Sequence, residues 1–125
     1  MLQKSVKIKP DLEPSQLSLK PLHRFIADIL DDHKALDIVT VDLKDKSDMA
    51  DFLVIATGNS RRHVKALADH LQEQLKTHKV PLLSVEGTEE CDWVLVDFGD
   101  VVVHLFVEQA RTIYNLEQMW SALKR

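Results

Sequence analysis

Residues 93–107 read Trp93-Val94-Leu95-Val96-Asp97-Phe98-Gly99-Asp100-Val101-Val102-Val103-His104-Leu105-Phe106-Val107. Two runs rich in β-branched and aromatic residues flank Gly99-Asp100, and a two-residue connection with glycine first is what a type II′ hairpin prefers. With that loop, Phe98 faces Val101, Asp97 faces Val102, Val96 faces Val103, Leu95 faces His104 and Trp93 faces Phe106. Side-chain alternation then sorts the hairpin into two faces. One holds Val94, Val96, Phe98, Val101, Val103 and Leu105, with no polar atom in any side chain, and reads as a core face. The other holds Trp93, Leu95, Asp97, Val102, His104 and Phe106. Aromatic anchors with charge at the edge are the composition of protein–protein interfaces. A second reading stays open, in which a helix or the chain's tail covers this face and Asp97 and His104 form a satisfied structural pair.

Upstream of the hairpin, Leu22, Phe25, Ile26, Ile29 and Leu30 recur at helical spacing, and Pro21 suits a first helical turn. Asp37–Leu43 and Phe52–Thr57 read as strands. Gly58 breaks the second strand and Ser60 is placed to cap a helix whose apolar stripe is Val64, Leu67, Ala68, Leu71 and Leu75, ending near Lys79. Pro81 bars its continuation, a short extended piece spans 82–85, and a polar loop spans 86–92. The tail, 108–125, reads as helical. Residues 1–20, with Pro10 and Pro14 and no sustained period, read as a flexible N-terminal arm before a single domain at 21–125. The predicted fold class is α/β in the layered α+β sense, a mixed β-sheet flanked by helices.

At 125 residues the chain is one domain, large enough to be held by an apolar core. The single Cys91 excludes an internal disulfide, and no apolar run approaches the ~20 residues needed to cross a bilayer, so a reducing, cytoplasmic setting is expected. The net charge of −4 is unevenly spread: residues 80–110 carry seven acids and no Lys or Arg, leaving +3 for the rest of the chain. Nucleic-acid binders show the opposite sign on their working surface. A basic protein partner fits better.

Catalytic signatures are scarce. The six histidines show no H-x-x-x-H spacing, no phosphate-binding or nucleophile-elbow motif occurs, and sequence places no base beside Cys91. No cofactor or metal is expected. Gly58, Ser60, Arg61, Arg62 and His63 sit where a strand ends and a helix begins, so they form either a candidate anion-contacting turn or an ordinary capped turn with solvated arginines. A nucleotidyltransferase would need paired carboxylates for divalent metal soon after such a turn. Only Asp69 follows within the helix.

Four segments together resemble one family. They are 56–64 (Ala-Thr-Gly-Asn-Ser-Arg-Arg-His-Val), Val85-Glu86-Gly87, Asp92 to His104, and Tyr114-Asn115-Leu116-Glu117-Gln118-Met119-Trp120. The chain is similar over 22–122 to the ribosomal silencing factor (RsfS, or Iojap) family. Asn59, Arg61 and Gln118 depart from the family's usual residues. The resemblance implies a nucleotidyltransferase-like fold without the catalytic carboxylates, and a binding protein rather than an enzyme. It further implies docking on ribosomal protein fourteen of the large subunit, steric block of subunit joining, and reduced translation when nutrients are scarce. Partner-binding residues on this reading are Trp93, Leu95, Asp97, Asp100, Val102, His104 and Phe106. Free members form dimers through an overlapping surface, and a bacterial source is expected. The alternatives are a nucleotide-transferring enzyme and a structural homodimer.

Overall fold

A computed structural model describes residues 21–45 and 50–110. Pro21, at φ −58° and ψ 146°, stands just outside helix α1 (Leu22–Asp32) rather than within its first turn, and its carbonyl accepts the Arg24 and Phe25 N–H groups. The Phe25 bond is the helix's own first one, and the Arg24 bond satisfies one of the donors a helix start otherwise leaves unpaired. Strands β1 (Leu36–Asp42) and β2 (Phe52–Gly58) follow, then helix α2 (Arg61–Thr77). Strands β3 (Ser84–Glu86), β4 (Trp93–Asp97) and β5 (Val101–Val107) come last. Glu108–Ala110 begin a helical turn. The expected arm at 1–20 and most of the expected helical tail lie outside the described residues.

The five strands form one mixed sheet in the order β1-β2-β5-β4-β3. β2 and β5 are parallel neighbours at its centre and the other pairs are antiparallel. A parallel pair cannot be closed by a tight turn. Here α2 and the β3–β4 hairpin make the long return. The β4–β5 register is the one expected from the sequence, and the 98-to-101 pair closes through the Phe98 N–H on the Val101 carbonyl at 3.0 Å. Gly99 adopts φ +92° while Asp100 does not share the left-handed region, the pattern of a II′ rather than an I′ connection. β3 falls at 84–86 instead of 82–85. Leu83 still donates its N–H to the Asp97 carbonyl, so pairing begins earlier than the strand bounds suggest.

Both helices lie on the same face of the sheet. Phe25, Ile26, Ile29 and Leu30 of α1 and Val64, Leu67, Ala68, Leu71 and Leu75 of α2 pack with Val54, Ala56, Val94, Val96, Phe98, Val101, Val103 and Leu105. At ~1.5–3 kcal/mol per fully buried aliphatic side chain, this cluster dominates the stability of the domain. The opposite face holds a smaller core of its own, so the alternative in which another part of the chain covers it is realised in part. Val41, Leu53, Ile55 and Phe106 form a smaller cluster closed by Leu43, Ala50 and Ala110.

Candidate protein-docking face

The second cluster covers only part of its face. Leu53, Ile55 and Thr57 of β2 lie beside Val102, His104 and Phe106 of β5, and the Leu43, Ala50 and Ala110 side chains complete the cluster. Among the described residues the cover stops towards β4 and β3. Trp93, Leu95, Asp97 and Val102 are half-buried and Asp100, in the loop, is exposed. Glu86, opposite Leu95 on β3, is also exposed and extends the acidic edge. The sequence had placed Glu86 in a loop. Its position on this face could have been found only by pairing β3 with β4, which three residues of strand do not announce.

Two residues of the expected partner-binding set do not present surface. Phe106 is fully buried and His104 is 7% exposed; β2 flanks both within the sheet, and Phe106 clusters with Leu53, Ile55 and Ala110. They lie beneath the surface. The Trp93 Nε1–H donates to His104 Nδ1 at 2.8 Å, and the Trp93 and Phe106 rings stack with centroids 5.3 Å apart. His104 and Phe106 are near-parallel at 6.2 Å. Burial pushes the His104 pKa down to about 4, so the ring is neutral near pH 7 and, with Nδ1 accepting, carries its proton on Nε2. The open alternative of an Asp97–His104 pair is not realised. Asp97 lies opposite Val102 and His104 opposite Leu95, and Asp97 Oδ1 accepts the Gly99 N–H at 2.8 Å within its own loop.

The turn after β2 is occupied by its own contacts. Ser60 caps α2, its Oγ accepting the His63 N–H at 3.1 Å. His63 Nδ1 accepts the Asn59 N–H at 2.9 Å, which leaves Nε2–H to donate to the His33 carbonyl at 2.9 Å and ties α2 to the end of α1. At Gly58 a β-carbon would stand 2.8 Å from Val64 Cγ2, so the close approach of strand and helix requires its absence. Arg61 Nε donates to Asp92 Oδ1 at 2.6 Å, and that hydrogen bond and charge raise the guanidinium's already high pKa. Both partners are substantially solvated, so the pair adds little stability. Arg62 is exposed. Several donors that an anion would use are therefore engaged. Asp92 and His33 were not singled out from sequence, and no local pattern signals either, since each contact spans about thirty residues of chain.

Asp69 pairs with Lys65 at 3.1 Å on the exposed flank of α2. Among the described residues no group of three or more His, Cys, Asp or Glu side chains is placed to hold a metal ion, and no helix is long and apolar enough to cross a membrane.

Comparison with known proteins places these features in context. The family described as "Ribosomal silencing factor during starvation" matches residues 16–125. The chain is 44% identical over 109 residues to the ribosomal silencing factor RsfS of Zymomonas mobilis, covering 86% of this chain and 82% of that protein. It is 38% identical over 105 residues to RsfS of Bacillus subtilis, covering 84% and 89%. A crystal structure of a Chromobacterium violaceum protein superimposes with a TM-score of 0.77 at 36% identity, covering 88% of each chain.

Proposed function

The chain belongs to the ribosomal silencing factor family, and from that premise we propose that it docks on ribosomal protein fourteen of the large subunit and sterically blocks joining of the small subunit. Membership implies ribosome-associated regulation of translation, a regulatory role and not an enzymatic one. The finer reading is supported by the uncovered part of the second sheet face. There half-buried Trp93, Leu95 and Val102 adjoin Asp97, Asp100 and Glu86 in a stretch without a lysine or arginine. An apolar centre with an acidic edge complements a basic ribosomal protein. His104 and Phe106 belong to the same site as its buried support. In the free protein the face is available to a second copy, and ribosomal RNA contact is peripheral. The protein works in the cytoplasm, by occupying a surface and without a cofactor or a catalytic step.

Co-sedimentation with isolated subunits, followed by a joining assay, tests the proposal. The chain should pellet with large subunits and not small ones, and should reduce formation of complete ribosomes. Trp93→Ala should weaken large-subunit binding by at least ~2 kcal/mol, about thirtyfold, as truncation of a central aromatic anchor does. Equal pelleting with both subunits, or undisturbed joining, overturns the reading.

A further inference from the structure

We propose that His104 is a positioning residue for docking, holding the Trp93 indole in the orientation that the partner meets; this role rests on the docking reading above. Trp93 is the first residue of β4 and is half-buried at the border between the covered and uncovered parts of its face. A tryptophan at a strand end with one side open has several rotamers available, and a partner that selects one of them loses affinity to the ordering. Two contacts fix the ring beforehand. Its Nε1–H reaches His104 Nδ1 at 2.8 Å, it stacks on Phe106 at 5.3 Å, and Phe106 in turn lies near-parallel to His104. His104 sits diagonally across the β4–β5 pair from Trp93, opposite Leu95, and is itself held by burial between β4 and the Ile55 position of β2. The acceptor is therefore rigid while the group it orients is at the surface. Its job on this face is geometric, and it touches the partner through Trp93.

The test uses the full chain with His104→Leu, which fills the site without an acceptor, and His104→Asn, whose amide oxygen stands close to the place of Nδ1. Trp93→Phe keeps a ring but no donor. Each variant is measured for melting temperature, for binding to isolated large subunits, and for the indole N–H resonance of Trp93, identified by its loss in Trp93→Phe. In the wild type that proton should be hydrogen-bonded, downfield and slow to exchange with water. His104→Leu should stay folded, shift the resonance, speed its exchange, and weaken binding about tenfold. His104→Asn should restore both the resonance and the affinity. Unchanged affinity in His104→Leu despite a displaced resonance overturns the positioning role. So does a folded His104→Asn that restores neither. If His104→Leu does not fold, Trp93→Phe carries the test without disturbing the buried ring, and undiminished binding in it is equally fatal. Failure of the wild type to bind large subunits would instead overturn the docking reading, a result that the indole resonance cannot mimic.

Discussion

Val102 and Val103 are adjacent, chemically identical and differently employed. Val103 is fully buried with Val54, Val96 and Leu105 beneath α1 and α2, whereas Val102 lies half-buried at the rim of the smaller cluster on the opposite face. The strand's alternation separates them, and the placement of both helices on one side of the sheet gives the separation its consequence. A face acquires its role from what covers it. Among the described residues, one side of the β4–β5 hairpin is closed along its length, and the other is closed over Phe106 and His104 but leaves Leu95 and Asp97 half-buried.

The largest expected effect exploits that contrast. Val103→Glu buries a carboxylate without a partner, at a cost of several kcal/mol against a total stability of about 5–15 kcal/mol, and should leave the domain unfolded or molten at assay temperature. Val102→Glu can turn its carboxylate to solvent, should melt within several degrees of the wild type, and should abolish large-subunit binding. Thermal melts beside pelleting decide it. If Val102→Glu unfolds while Val103→Glu binds normally, the two faces have been exchanged and the docking site is elsewhere.

A smaller effect comes from the histidine that separates the closed and open parts of the second face. Burial holds His104 at about 4, against an unfolded value near 6.5, so as pH falls the unfolded chain takes up the proton first. The stability contributed by keeping this ring neutral is complete above pH ~6.5 and drains away down to pH ~4, by roughly 3 kcal/mol across the window. His33 is lowered as well, chiefly by burial and then by His70, whose ring stacks on it at 3.7 Å. His23, lowered by burial and then by Arg24, acts in the same direction. Denaturant titrations at pH 7 and pH 4.5 on wild type and His104→Asn isolate the His104 share. The wild type should lose more stability between the two pH values than the variant, and equal losses would show that His104 is not held neutral by the fold.

The hairpin was legible because its information is local: a glycine-first loop and strict alternation specify register, faces and the core set Val94 to Leu105 without reference to the rest of the chain. The same locality hid what covers the second face. Leu53 and Ile55 reach Phe106 only through the parallel β2–β5 pairing, which joins residues about fifty positions apart and leaves no periodic trace in either strand. The turn at Gly58–His63 carries the Ser60 cap that its sequence predicts. Its engagement with Asp92 and the His33 carbonyl again depends on distant segments. Asp97 and His104, two polar residues on one face, invited a pairing that the register separates.

Asp97 carries the smallest expected effect, and it divides the two duties of the open edge. Its Oδ1 accepts the Gly99 N–H at 2.8 Å, fastening the loop, while its charge belongs to the acidic stretch proposed to meet a basic partner. Asp97→Asn keeps an oxygen at the same position and removes only the charge; Asp97→Lys removes the acceptor and inverts the charge. A net hydrogen bond is worth about 1 kcal/mol, so the lysine variant should melt roughly 4–8 °C lower and the asparagine variant near the wild type. Association with large subunits should slow in both, more in the lysine variant. At physiological salt, where exposed charges are screened over ~8 Å, the wild type's association should depend more steeply on ionic strength than that of the asparagine variant. A wild-type salt dependence no steeper than that of Asp97→Asn would confine this carboxylate to the loop and move the electrostatic contribution to Asp100 and Glu86.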